Sequence, residues 1–270
     1  LQVNSLSRFC SYPTKRYAFL NQIDDQFSRY FDHFRQEDGI SHAEKLNILA
    51  TDICNTAEPN DIILFMDGDA FPIASIDKLI SQLQDYPLIA VQRIENNGDM
   101  QPHPCFCITT VGFWQSIGGD WNPGGYWKNK QGALVTDVGG LLLENLEARD
   151  IKWLPLVRSN DRNPHPLWFG IYADVIYHHG AGFRDKLCRL DALHGVDLYS
   201  KFLINVQRLC KLQRRQPNFN ALVTRYIHDY MRRKNARLAD KVFSSIKSNQ
   251  AFAIQWGLVK ERPAPEIAQP

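Results

Sequence analysis

No apolar run in this chain approaches the roughly 18–20 residues that cross a bilayer, and its start carries no basic segment followed by an apolar one, as a secretory signal would. The six cysteines, Cys10, Cys54, Cys105, Cys107, Cys188 and Cys210, are scattered. They form no C-x2-C pair, which excludes the usual structural zinc spacing, and no disulfide framework, which fits a reducing, cytoplasmic setting. Internal repeats and low-complexity tracts are absent. The basic runs Arg214-Arg215 and Arg232-Arg233-Lys234 are too short and too helical to mark a nucleic-acid binder. The chain opens on Leu1 rather than Met, so the expectation is a fragment or a processed product.

What is present is a chain of 270 residues with 44% hydrophobic and 11% aromatic content, enough for a core in one large domain with an appendage. The net charge of +2 conceals a split. From Arg184 onward there are 17 Lys and Arg against 7 Asp and Glu, a balance of +10, which leaves −8 for the part before it. Residues 1–186 are expected to form the acidic, sheet-bearing domain and 187–270 a basic helical extension. The basic face of that extension has three readings: a solvated helical surface, a dock for anionic lipid that holds the chain peripherally at a membrane, or a site for an anionic acceptor.

The most informative segment is Asp61–Ile73, DIILFMDGDAFPI. Ile62 to Met66 reads as a fully buried strand that ends at Asp67-Gly68-Asp69. Two carboxylates at the carboxyl end of a strand sit where α/β sheets bind ligands, and hard cations such as Mg2+ and Mn2+ take such oxygens. Gly68 leaves room for a ligand near the backbone. Upstream, Ser41 and Glu44 form a capping box for a helix whose apolar face is Leu46, Leu49, Ala50, Ile53, Cys54 and Ala57. Downstream, helix Ile76–Leu83, strand Leu88–Ile94, the loop Asn96-Asn97-Gly98-Asp99 and a β-rich run Cys105–Trp114 alternate as in an α/β sheet. Cys105 and Cys107 are expected on one strand face, as small core residues. Tyr17–Phe34 reads as a helix.

DIILFMDGDAFP resembles the DxD signature of GT-A nucleotide-sugar glycosyltransferases, and the likeness extends from about Gly39 to Arg184 with family 2 enzymes as the nearest pattern. That resemblance implies a mixed, Rossmann-like sheet flanked by helices, and transfer of a hexosyl or related sugar from a nucleotide-sugar donor to a glycan, lipid-linked or protein acceptor. It implies Mn2+ or Mg2+ held by Asp67 and Asp69. Asp67 and Asn47 would contact the donor, with His42 a further polar residue of the same helix. The strand–helix–strand unit that normally opens such a fold is not intact here, being either missing or degenerate within Leu1–Phe19.

Three further segments follow in the family's order. VGFWQSIGGDWNPGG, residues 111–125, is similar to the acceptor loop, which implies acceptor contacts from Gly118 and Gly119. Trp114 and Trp121, with Trp127, are candidates to stack on sugar faces. Asp137, in VTDVGG, aligns with the base that takes the proton of the acceptor hydroxyl, with Thr136 in place of the usual Glu; it is equally placed to be a helix N-cap. ADVIYHHGAGFR, residues 173–184, resembles the segment in which a late His completes the metal shell. Strand alternation sends only one of His178 and His179 to the site, and His179 is the favoured ligand, with Arg184 or Lys186 on the diphosphate.

A D-x-D after a buried strand also resembles haloacid-dehalogenase-like phosphatases, although Phe71 stands where that family carries Thr or Val. A non-catalytic carbohydrate-binding domain of the same fold is the third reading.

Overall fold

The computed structural model describes residues 1–21, 23–180, 217–249 and 251–260, together with 202, 205, 206 and 209. The described chain forms two compact units. One comprises Leu1–Ser159 with Tyr172–His178; the other comprises Asn160–Ile171 with the chain from His179 on. The sequence expectation placed the division after residue 186.

The first unit is mixed α/β. It begins with α1 (Gln2–Phe9), β1 (Tyr17–Phe19), a 3-10 turn Asp25–Tyr30 and β2 (His33–Arg35). The helix expected over Tyr17–Phe34 is therefore not formed. Tyr17 and Phe19 belong to a strand that pairs in parallel with β2, and the Tyr17 ring stacks on His33 at 4.6 Å between centroids. Aromatics suit a pleated surface better than a helix, where they lose side-chain freedom.

α2 (His42–Cys54) starts at the expected capping box, with Ser41 Oγ accepting from the Glu44 amide at 3.2 Å and Glu44 Oε2 from the Ser41 amide at 2.8 Å. β3 (Ile62–Met66) then leads through the acidic turn into β4 (Ala70–Pro72). α3 (Asp77–Ser81), β5 (Leu88–Val91), β6 (His103–Thr110) and α4 (Val111–Ile117) follow, then the ribbon β7 (Trp127–Lys128) and β8 (Leu134–Val135), α5 (Gly140–Ala148) and β9 (Leu154–Leu156). The main sheet has the order β3-β6-β5-β9, antiparallel except for the parallel pair β5/β9.

β3 is thus an edge of this sheet. Ile63 and Phe65 are buried while Ile62 is exposed and Leu64 and Met66 half-buried. The fully buried strand read from the sequence is instead an alternating edge strand.

Helices cover both sheet faces. α2, α4 and α5 pack Leu46, Val111, Trp114, Ile117 and Leu142 on Ile63, Phe65, Leu88 and Cys107. On the other face Leu79 and Ile80 of α3 meet Ile89, Phe106, Ile108 and Leu156. β6 carries a bulge: Ala90 pairs with Cys107, but the next residue, Val91, pairs with His103. Pro104 inside the bulge has no N–H for the ladder. The bulge overrides strand alternation, so Cys107 enters one core and Cys105 the other, not one shared face as expected.

β10 (Gly170–Tyr172) carries the chain back into the first unit, where β11 (Ile176–His178) pairs antiparallel with β4. In the second unit α6 (Pro217–Ser248) begins at Pro217; Pro tolerates the first helical turn because its missing N–H has no intrahelical partner there. Ile227, Met231, Ala239, Val242 and Ile246 form its buried stripe, and α7 (Phe252–Gln255) follows. Residues 181–201, 210–216 and 261–270, which include Arg184, Lys186, Arg214-Arg215 and the basic tail, lie outside the described residues. Among the described residues no helix is long and apolar enough to cross a membrane.

Candidate metal centre

The turn between β3 and β4 is closed by the Ala70 amide donating to the Asp67 carbonyl at 2.9 Å. It is also held from outside. Gln2 Nε2 of α1 donates to the carbonyls of Asp67 (2.7 Å) and Ala70 (3.0 Å), and Ser5 Oγ donates to the Pro72 carbonyl. This brace had no signature in the sequence. A Cβ added at Gly68 would meet nothing within 4 Å, so the open approach expected at this glycine is present.

Strand pairing brings the third group. β11 sets His178 opposite Ala70, and His178 Nε2 lies 3.3 Å from Asp69 Oδ1. One donor atom each from Asp67, Asp69 and His178 lie within 4.8 Å of one another. His42 Nε2, from the first turn of α2, lies 3.1 Å from Asp67 Oδ1. That oxygen is buried and accepts no aligned hydrogen bond among the described residues. A buried carboxylate oxygen with no aligned donor calls for an ion or water. Two carboxylates and one imidazole form a donor set that suits a divalent first-row cation and leaves further positions for phosphate oxygens.

The histidine in this group is His178, not His179. The favoured ligand falls on the other side of the strand alternation: the His179 ring stands 5.1 Å from Phe169 and 5.9 Å from Phe243, in an apolar setting of the second unit. Of the two, the terminal residue of β11 is the one that faces the acids.

From His178 a polar seam continues. The His103 ring centre is 5.8 Å from that of His178, and Arg93 Nη1 lies 3.3 Å from His103 Nε2. Burial, aided by the charges of Arg93, His178 and His42, pushes His103 well below the usual histidine range, so it is a neutral imidazole. Burial and then the Asp67 carboxylate push the Cys105 thiol well up, which leaves it inert. Glu95 Oε1 accepts from the Tyr172 hydroxyl at 2.6 Å.

At the far end of the seam lies Asp99. Burial raises its carboxyl to about 6, against the hydrogen bond from Asn96 Nδ2 (2.7 Å) and the charge of Arg93, with Asp137 adding to the rise. Asp137 is exposed and its Oδ1 accepts from the Val138 amide at 2.8 Å. It is not the cap of α5, whose N-cap is Gly139 at φ +88°. Any side chain on Gly139 would collide with the Pro102 carbonyl, so this turn packs directly on the segment that bears Gln101. Gln101 is fully buried, and neither end of its amide finds a hydrogen bond among the described residues. The ribbon adds a link, since the Lys130 amide donates to the Asn97 carbonyl at 2.9 Å. Asp99, Gln101, Arg93 and His103 were missed because polar residues in a loop acquire a role only through what the fold sets beside them.

Several expected contacts are structural. Trp114 and Trp121 are 4% and 0% exposed and enclose Phe65 at 4.8 and 5.0 Å between ring centres, so neither can stack on a sugar. Trp114 lies on α4, not on a strand, and Trp127 is buried as well. Gly118 is the left-handed C-cap of α4, and a Cβ on Gly119 would lie 2.2 Å from the Trp114 ring; both glycines terminate a helix over a tryptophan and are not shaped around an acceptor. Asn47 donates from Nδ2 to Asp120 Oδ1 (2.6 Å) and accepts at Oδ1 from the Trp121 amide (2.9 Å). Its amide fastens the 118–122 loop and does not reach a donor. Thr136 Oγ1 likewise accepts from the Gly124 amide at 3.0 Å. Arg184, expected on the diphosphate, lies outside the described residues.

Comparison with family models, with curated proteins and with solved structures gives no match to this chain.

Proposed function

We propose that this chain is a metal-dependent glycosyltransferase of GT-A type, moving a sugar from a nucleotide-sugar donor to an acceptor hydroxyl. The observation that carries the reading is the convergence of Asp67, Asp69 and His178, with a buried Asp67 oxygen that no hydrogen bond satisfies. Asp67, Asp69 and His178 would hold Mn2+ or Mg2+, which when bound supplies Lewis-acid neutralisation of charge on a departing diphosphate.

The chain's own residues divide the remaining work. Arg93 sets a cation at the same seam: burial works against its charge, but Tyr172, Cys105, Glu95 and Asp99 outweigh it. Neutral His103 separates that cation from the metal-binding side and donates no charge of its own. At the other end, Asp137 is exposed and free to receive the proton of an attacking hydroxyl. Asp99 is a second, buried acid whose carboxyl feels the Asp137 charge, and the fully buried Gln101 amide packs beneath the Gly139 turn that follows Asp137.

The test is a panel of nucleotide sugars screened by thermal shift with and without Mn2+, followed by transfer assays on any donor that stabilises the protein. A donor that stabilises only with Mn2+, and is turned over about 10²–10⁴-fold more slowly by Asp137→Asn, supports the reading. Metal-dependent phosphate release from an aryl phosphate, with no nucleotide sugar bound, overturns it.

A further inference from the structure

The second unit contains a cavity of about 810 Å3 that the proposed transfer does not use. One wall is a face of α6 that presents Arg233, Lys234, Arg237 and Lys241; the spacing of three and four residues puts them on one side of the helix. The opposite stripe of the same helix is its buried face. Arg162, about 70 residues earlier in the chain, lines the cavity from across the helix, and Trp256 lies beside it. Five cations from two separate segments thus address one space. Among the described residues no acid lines it.

A merely solvated basic face would leave its charges spread and balanced by neighbouring acids. Of the nearby acids, Asp229 pairs with Arg232 at 2.7 Å and Asp161 with Lys260 at 3.7 Å, while Asp240, exposed on the same helix, forms no ion pair with a described residue. Arg162, Arg233, Arg237 and Lys241 have no carboxylate of the described residues within ion-pair distance. Burial lowers the Lys234 ammonium, while Arg233, Arg237 and Lys241 are exposed at the cavity's rim. The indole N–H of Trp256 is buried and donates to no acceptor among the described residues. Among the described residues the cavity therefore has an excess of cations and of N–H donors and no carboxylate of its own. Its remaining lining is mixed: Leu238, Pro164 and Pro166 are apolar, and Asn163, Tyr230 and Gln255 are neutral and polar. The volume is that of a small-molecule site, with space for more than an inorganic ion.

We propose that this cavity binds a phosphorylated organic molecule, its phosphate or diphosphate group held by Arg162, Arg233, Arg237 and Lys241 and its organic part against Leu238 and Trp256. Arginine forks match phosphate oxygens two at a time, which distinguishes this site from a diffuse positive surface. The same chemistry is offered by a soluble phosphorylated metabolite and by the phosphate headgroup of a lipid.

The experiment uses the full chain in divalent-free buffer, so that the acidic centre takes no part. Inorganic pyrophosphate is titrated calorimetrically, and sedimentation is measured with phosphatidylcholine vesicles with and without phosphatidic acid. Saturable binding of pyrophosphate, weakened at least tenfold by Arg233→Gln with Arg237→Gln, supports a soluble ligand. Binding to phosphatidic acid vesicles alone, lost in the same double variant, supports the lipid headgroup as the source. Arg225→Gln with Arg232→Gln removes the same charge from residues that do not line the cavity and should weaken binding less than threefold. Equal weakening by the two double variants, or no binding to either probe, overturns the proposal.

Discussion

His178 Nε2 faces Asp69 Oδ1 at 3.3 Å because β11 pairs with β4 in a register that sets His178 against Ala70, one residue beyond the acid. Position on the ladder, more than the identity of neighbouring residues, decides which of two adjacent histidines meets the carboxylates.

That geometry makes a prediction about metal. Mn2+ at a hundred times its dissociation constant should stabilise the wild-type chain by about 2.7 kcal/mol through mass action. Asp69→Asn and His178→Ala should each remove most of this gain, while His179→Ala should keep it. Melting curves with and without Mn2+ measure the difference, and a gain retained in Asp69→Asn would exclude the centre.

Asp99 gives a pH signature. Its folded carboxyl sits at about 6, above the ordinary value of 3.8. Between those values the folded chain holds a proton that the unfolded chain has released, so this residue's contribution falls as pH rises from about 4 to above 6. Asp99→Asn should match the parent in stability below pH 4 and exceed it at pH 7.5 by about 1 kcal/mol, or about 2–4 °C in melting temperature. A constant difference across that range would show that the carboxyl is not the cause.

Trp114 tests core against sugar platform. Trp114→Ala should cost about 3–5 kcal/mol, the usual range for a large aromatic removed from a core. Gly119→Ala, which pushes a methyl into the same ring, should cost about 1–3 kcal/mol. Denaturant midpoints check both; an unchanged midpoint for Trp114→Ala would place that ring outside the core.

Asn47→Ala should destabilise the chain by about 1–3 kcal/mol, since it strips partners from Asp120 and from the Trp121 amide. Hydrogen exchange at the Trp121 amide should accelerate in that variant, while exchange within β5 stays as in the parent.

These residues also mark what was legible beforehand. The capping box at Ser41, the strand before Asp67 and the acidic turn follow local rules that act within a few residues, and all three are formed. The basic face of α6 was legible too, through its helical spacing. Asn47 was read as a ligand contact because its partners lie 73 and 74 residues away, beyond any local pattern. The tryptophans looked available because a glycine-rich segment suggests openness, whereas Gly119 is small in order to admit Trp114. The separation of Cys105 from Cys107 depends on a bulge that a period of two does not foresee. Tyr17 and Phe19 follow the parallel partner they find in β2, not the periodicity of their own segment.

The Lys130 amide that reaches the Asn97 carbonyl couples the outer ribbon to the loop bearing Asp99. The ribbon presents Tyr126 and Leu134 to solvent at its base, with about two-thirds of each side chain uncovered. A load on those two side chains reaches the loop that bears Asp99 through one backbone hydrogen bond. The ribbon is thus a lever arm on that loop, and an antibody or small binder raised against the Tyr126 face should shift the pH dependence of stability that Asp99 sets.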